Sequence, residues 1–160
     1  MSGISTSTNA TLISTMCDDS NPVRIQTSLK HNPRTWLLTV EVKQAECPLN
    51  ARYRVHKVYW QVHLALLPHC TQRRKTRYKS TQTPIFNQSF DIPDVPKSAL
   101  SQMTVRYRLY ARFKRVGRKR VVGEVQVDLG ELMNKSNCAI DGEWHTLTNI
   151  LPQRSRSISY

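Results

Sequence analysis

The chain has 160 residues, a length typical of one domain with its own core. Hydrophobic residues make up 39% of the chain, and no apolar run of about 18 residues occurs, so neither wholesale disorder nor a transmembrane helix is predicted. The formal net charge is +13, and 17 of the 24 Lys and Arg residues lie in two acid-free stretches, Cys47–Phe90 and Val95–Arg120. A field of one sign favours a polyanionic partner, which leaves anionic membranes, nucleic acid and acidic protein surfaces as candidates.

The organisation along the chain is a single domain between two polar tails. Residues 1–21 are rich in Ser, Thr and Asn without a sustained period, which predicts a disordered tail, and residues 151–160 form a polar C-terminal tail. Residues 22–150 are predicted to form the folded domain. Apolar and polar residues alternate there, as expected for antiparallel sheets with one side on a core.

The predicted strands follow from this period of two. The three longest runs cover residues 36–43, 58–66 and 103–112. Eight short strands separated by turn signals predict an all-β fold, an eight-stranded antiparallel β-sandwich. The alternation also predicts that Trp36, Trp60 and Tyr107 lie in the core. The shorter candidate strands are Val23–Leu29, Arg73–Lys79, Asn87–Ile92, Val121–Asp128 and Glu143–Leu147.

Residues that catalysis or metal binding requires are scarce. The 11 acids lie mainly near the chain ends and in Asp91–Asp94, and neither a G-x-S-x-G nor an H-E-x-x-H motif occurs. His56 and His63 are seven residues apart, but no third ligand is evident. The chain has five Gly and no phosphate-binding Gly-rich loop. The sequence therefore predicts a protein that is not an enzyme and that holds no metal or cofactor.

The cysteines and the N-terminus indicate a cytoplasmic protein. The four cysteines form no C-x-x-C pair and have no zinc-ligand spacing with His, which predicts free thiols in a reducing compartment. No basic region followed by an apolar stretch marks a signal peptide. The cysteines are Cys17, Cys47, Cys70 and Cys138.

Several short motifs occur in an order that is typical of one family. They are L-L-P at Leu66–Pro68, K-T at Lys75–Thr76, T-x-x-P-x-F-N-x-x-F at Thr81–Phe90, V-G-E at Val122–Glu124 and W-H-T-L at Trp144–Leu147. Together they resemble a C2 domain of the synaptotagmin type over about residues 22–150. The resemblance implies an eight-stranded antiparallel β-sandwich whose loops at one end meet membranes, in agreement with the period of two.

The sequence departs from the family at the aspartates that hold calcium in other members. Near Ala51 and throughout residues 47–90 no acid occurs. Counting back from Pro68 places Tyr59 at the Asp of the family's D-P-Y segment. Calcium takes about six to eight oxygen ligands, mostly anionic, so calcium-independent function is predicted. Counting back from Gly123 places three cations at the other Asp positions, namely Arg112, Lys114 and Arg120.

Two basic clusters are the candidates for lipid binding. In the family, calcium bridges the domain to anionic lipid, and we expect the fixed Arg and Lys residues in the same loop of this chain to supply part of that charge without the ion. Many synaptotagmins carry a phosphoinositide-binding patch on the basic strand, and alternation predicts that Arg73, Lys75, Arg77 and Lys79 share one strand face. Phe113 and Val116 are candidates for shallow insertion. The strand cluster is Arg73, Arg74, Lys75, Arg77 and Lys79, and the loop cluster is Arg112, Lys114, Arg115, Arg118, Lys119 and Arg120.

Three hypotheses follow. The leading one is a calcium-independent module, cytoplasmic and peripheral at membranes, that binds phosphoinositide or phosphatidylserine and vesicle-fusion or adaptor proteins in trafficking or exocytosis. The alternative is a protein-interaction adaptor whose basic strand docks acidic partners without lipid. The W-H-x-L signature makes Trp144, His145 and Leu147 candidates for protein docking. Charge alone also permits nucleic-acid binding, which stacked aromatics would assist, but Tyr78 is the one aromatic within the basic strand.

Overall fold

The computed structural model describes residues 21–49, 57–69, 72–113 and 117–149. The two predicted tails, apart from Asn21, fall outside these ranges, as do Cys17 and Cys70. Within them, Cys47 and Cys138 are buried free thiols.

In the described residues, eight strands form two four-stranded sheets. The first sheet has the strand order β5-β2-β1-β8 and the second has the order β4-β3-β6-β7, with every neighbouring pair antiparallel. The predicted eight-stranded antiparallel β-sandwich is therefore confirmed. The strands are β1 (Arg24–Asn32), β2 (Leu37–Glu46), β3 (Tyr59–Leu67), β4 (Arg73–Lys75), β5 (Ile85–Ile92), β6 (Thr104–Arg112), β7 (Arg120–Asp128) and β8 (Ala139–Thr146).

The core lies between the two sheets and is built from the alternating apolar residues. On β6 every second residue is buried, which turns the intervening arginines outward. Trp60 and Tyr107 are both fully buried, so their predicted core positions are confirmed. Gly123 makes the closest approach to its neighbours, because a Cβ at this position would lie 2.8 Å from the Cβ of Leu147.

Trp36 is an exception to the alternation, and its predicted core position is wrong. The side chain is 51% exposed. Asn32 Oδ1 accepts hydrogen bonds from the backbone N–H groups of Arg34 and Thr35, which folds the chain into a tight turn after β1. Trp36 then adopts φ 57°, in the left-handed region. This conformation breaks the strand pattern one residue before β2 begins, so the indole turns away from the core.

Short helical segments follow two of the strands. A 3-10 helix covers Lys97–Gln102 after β5, and a single helical turn covers Gly130–Met133 after β7. None of the helices in the described part of the chain is long and apolar enough to span a bilayer.

Candidate functional site

The outward side of the sheet β4-β3-β6-β7 carries a concentration of cations, which we call the basic face. Register aligns Lys75 on β4, His63 on β3 and Arg108 on β6 in one row across the sheet. Residues directly opposite each other on antiparallel strands share a face, so these three side chains are neighbours. The members of the basic face are His63, Arg73, Lys75, Arg106, Arg108, Tyr110, Arg112 and Lys119.

Lys119 joins the loop cluster to the strand cluster. It precedes β7, and its Nζ lies 3.0 Å from Nε2 of His63 and 5.2 Å from the centroid of the Tyr110 ring. Partial burial lowers the pKa of Lys119, and the charges of Lys75 and Arg112 lower it further. The structure therefore brings together two groups of cations that are more than 30 residues apart in the sequence.

His63 occupies the centre of this arrangement. Its ring centroid lies 4.3 Å from that of Tyr110, and its Nε2 lies 2.8 Å from Oε1 of Gln61. Burial, and after it the charges of Lys119, Lys75 and Arg108, lower the pKa of His63 from 6.5 to about 4. At neutral pH the ring is thus uncharged, which limits the repulsion within the cluster.

Carboxylates compensate only one part of the basic face. Glu124 on β7 bonds Arg108 Nε at 2.6 Å and approaches Arg106 Nε at 3.6 Å. The other ion pairs in the described residues lie on the first sheet or at its edge. Within the described ranges no carboxylate pairs with Lys75, Lys119 or Arg112, so the field around His63 is open to an external anion.

Arg112 is held by aromatic rings at the end of β6. Its guanidinium carbon lies 4.0 Å from the centroid of Tyr78 and 5.6 Å from that of Tyr59, its register partner on β3. A cation over an aromatic face is attracted by the ring quadrupole. The Nε atom of Arg112 is buried and has no hydrogen-bond partner in the structure. The side chain is thus oriented by stacking, and not by a carboxylate.

This stack occupies the end of the sheet at which the family resemblance places calcium-binding aspartates. Tyr59 and Arg112 stand at two of those positions and contact each other, and Arg120 begins β7 opposite Ala111. In the described ranges no group of three His, Cys, Asp or Glu side chains is close enough to hold a metal ion. The positions at Lys114 and near Ala51 lie outside the described residues.

The rest of the loop cluster is only partly described. Arg118 is exposed, and Arg120 pairs with the core-facing Ala111, so register places it on the opposite side of the sheet from Arg112. Phe113 is partly buried against the core, which limits the shallow insertion that we predicted for it. Lys114, Arg115 and Val116 lie outside the described residues.

The strand cluster differs from the predicted continuous strand. β4 ends at Lys75, because the buried Thr76 uses its Oγ1 to accept a hydrogen bond from the N–H of Val62. The backbone of Thr76 pairs with Val62, and the next pairing joins Lys79 to Trp60. The segment after β4 thus advances three residues while β3 advances two, which leaves one extra residue after β4. The prediction that alternate residues from 73 to 79 share one regular strand face is therefore wrong. Arg73, Lys75 and Arg77 are exposed, and Arg74 and Lys79 are half-buried.

The predicted protein-docking residues do not form one surface. Leu147 is 6% exposed and belongs to the core, and His145 pairs with the core-facing Ile25, with its Nε2 buried. Trp144 lies on the outward face of the first sheet, where the guanidinium of Arg24 stacks 4.6 Å from its ring centroid. Burial thus corrects the prediction for Leu147 and leaves Trp144 as the accessible ring of the trio.

Several members of the basic face escaped the sequence prediction. His63, Arg106, Arg108 and Tyr110 alternate with core residues, so their outward direction was predictable. Their proximity to Lys75 and Lys119 was not, because it depends on strand order and register. The available sequence signal was that the runs of β3 and β6 both place basic or aromatic residues on their outward side.

Comparison with known proteins identifies the architecture. A family model for the C2 domain matches residues 36–147. A C2 domain of RIM from Drosophila is 23% identical, with a TM-score of 0.67 over 79% of this chain and 98% of that one. The third C2 domain of KIAA1228 protein is 25% identical, with a TM-score of 0.64 over 79% of this chain and 88% of that one. The first C2 domain of human synaptotagmin XIII is 16% identical, with a TM-score of 0.53 over 83% and 92%.

Proposed function

The chain belongs to the C2 domain family, and from this premise we propose that it is a calcium-independent module that docks on anionic phospholipid membranes through the basic face. The resemblance to C2 domains of the synaptotagmin type is confirmed. C2 domains are in general non-enzymatic modules that bind membranes and proteins. We place this one at cytoplasmic membrane surfaces, in trafficking or exocytosis.

The observation that carries the proposal is the set of cations on the basic face that lack carboxylate partners in the described residues. The charges of Lys75 and Arg112 both act on Lys119, yet none of the three is paired with an acid in the described residues. Each Lys or Arg close to an anionic leaflet contributes about 1 kcal/mol, so three contribute about 3 kcal/mol, or more than roughly a hundredfold in partition. This magnitude suits reversible docking.

Calcium independence is supported by the residues at the start of β3 and the end of β6. Calcium requires about six to eight oxygen ligands, mostly anionic. Tyr59 and Arg112 instead form a cation–π contact there, and Arg112 would repel a divalent ion. We therefore expect no saturable calcium site in calorimetric titrations up to millimolar calcium.

Vesicle co-sedimentation tests the proposed function. We expect binding to vesicles containing phosphatidylserine or a phosphoinositide, unchanged by a chelator and lost at high salt, because the Debye length falls to about 3 Å at 1 M salt. Neutral phosphatidylcholine vesicles are the control. A protein that ignores anionic vesicles at low salt, or that needs calcium to bind them, contradicts the proposal.

Replacing Glu124 with Gln should strengthen membrane binding while weakening the fold. The change frees Arg106 and Arg108 from their carboxylate and adds one positive charge to the basic face, worth about 1 kcal/mol or roughly fivefold in affinity. Loss of hydrogen bonds to a charged group costs about 1–3 kcal/mol in the free energy of unfolding. Co-sedimentation and urea denaturation measure the two effects.

The matched control for Glu124→Gln is Glu131→Gln. It makes the same charge change at an exposed residue of the helical turn after β7, outside the basic face. We expect a smaller gain in binding and little change in stability. Equal gains from both variants would show that net charge alone, and not the basic face, controls binding.

Docking of an acidic protein segment is a second candidate function. β4 lies at the edge of its sheet and exposes Arg73 and Lys75, so an acidic segment has access to the strand. If protein docking is the main function, neutralising Arg73, Arg74 and Lys75 abolishes binding of an acidic peptide while vesicle binding persists. Loss of both activities together favours the membrane proposal.

A further inference from the structure

The central residue of the basic face is titratable and is surrounded by cations on three sides. His63 has Lys75 opposite it on β4 and Arg108 opposite it on β6. Lys119 belongs to the segment before β7, and its Nζ lies 3.0 Å from Nε2 of His63. Its own strand contributes the neutral Gln61, and β6 contributes the ring of Tyr110. The nearest carboxylate in that row, Glu124, is bonded to Arg108.

One nitrogen of His63 faces two incompatible neighbours. Nε2 lies 2.8 Å from Oε1 of Gln61 and 3.0 Å from Nζ of Lys119. Gln61 donates its Nε2–H to the carbonyl of Thr76, so its Oε1 is an acceptor. A ring nitrogen that donates to Gln61 cannot also accept from Lys119. With the proton on Nε2, the ring offers Lys119 no acceptor, so the ammonium group of Lys119 is free to bind an anion.

We propose that His63 takes up a proton when a polyanion binds the basic face, so that the site binds polyanionic headgroups more tightly as the pH falls. This proposal rests on the proposed function. The bound anion neutralises the charges of Lys75, Lys119 and Arg108. With that repulsion removed, a charged imidazolium becomes a fourth cation of the site. The face thus acts as a proton-linked anion sensor.

The direction of the pH dependence follows from linkage. The pKa of His63 is lowered to about 4 in the free protein, by burial first and by the three cations next. Anion binding raises this pKa, so binding takes up protons and affinity increases as the pH falls through the bound-state pKa. Burial persists when the anion binds, so the bound-state pKa lies between about 4 and the ordinary 6.5, and the affinity at about pH 5.5 exceeds that at about pH 7.5 by up to about tenfold.

The test uses myo-inositol hexakissulfate, whose charge is constant over this pH range. NMR titration of the His63 ring protons, with and without the probe, should show a higher pKa with the probe bound. Calorimetry at about pH 5.5 and about pH 7.5 should show tighter binding at the lower pH, by up to roughly tenfold. Vesicles containing phosphatidylserine, compared at the same two pH values, distinguish a lipid headgroup from a free anion as the ligand.

His63→Gln removes the titrating group while it keeps a polar side chain. We expect this variant to bind the probe with the same affinity at about pH 5.5 and about pH 7.5, so the ratio of the two affinities falls to about one. His69→Gln, at an exposed turn residue after β3, is the matched control and should keep the pH dependence. Probe binding with no change in the His63 titration overturns the proton linkage and leaves the proposed function standing. Absence of probe and vesicle binding at both pH values overturns both.

Discussion

Reversing the charges of Lys75 and Lys119 together should abolish binding to anionic vesicles. The double variant Lys75→Glu, Lys119→Glu removes about 2 kcal/mol of attraction, or roughly thirtyfold in affinity, and the new carboxylates repel the leaflet by a comparable amount. The combined loss is on the order of a thousandfold. Vesicle co-sedimentation at low salt measures it.

The matched control reverses two cations away from the basic face. Lys97 lies in the 3-10 helix between β5 and β6, and Lys135 lies between β7 and β8, and both are exposed. Lys97→Glu, Lys135→Glu changes the net charge of the protein by the same amount. Similar losses in the two double variants would show that binding follows net charge and would refute a localised site.

Stability separates a lost binding site from a damaged fold. In the free protein, burial lowers the pKa of Lys119, and repulsion by Lys75 and Arg112 lowers it further. Replacing two of these cations with carboxylates relieves that repulsion, so the Lys75, Lys119 variant should unfold at an equal or higher urea concentration than wild type. Stability and binding are thus expected to change in opposite directions, as at sites where function is retained at a cost in stability.

The sequence predicted the sandwich and its core because both depend on a local period of two. Alternate residues of β6 are buried, as the pattern indicated, and Trp60 and Tyr107 lie in the core. Both basic clusters were also recognised as candidates. These properties need only the direction of each side chain relative to its own strand, which the pleat determines.

The arrangement of the site required information that the local pattern lacks. The contact between Lys119 and His63 depends on how the segment before β7 passes over β3, and the row of Lys75, His63 and Arg108 depends on strand register. Strand pairing of this kind is set by distant parts of the chain. The early end of β4 depends in the same way on a hydrogen bond from Val62 to Thr76.

Truncating Trp60 should cost about 3–5 kcal/mol in the free energy of unfolding. Its side chain is fully buried among the apolar residues of both sheets, so Trp60→Ala leaves a large cavity and loses its contacts. A domain of this size is stable by about 5–15 kcal/mol, so the variant loses a large share of its stability. Urea denaturation measures the loss. The hydrogen bonds between Trp60 and Lys79 are made by the backbone, so they remain in the folded alanine variant.

Trp36→Ala provides a matched control of the same residue type. The period of two assigns Trp36 and Trp60 alike to the core, whereas the structure leaves the Trp36 side chain 51% exposed, with its own backbone in the left-handed region. In the alanine variant the carbonyl of residue 36 still accepts a hydrogen bond from the N–H of Val95. Tryptophan and alanine both carry a Cβ, so the strain of the left-handed backbone is similar in the two proteins. We therefore expect a change within about 0.5 kcal/mol. A cost near that of Trp60→Ala would mean that Trp36 packs in the core, as the alternation alone predicts.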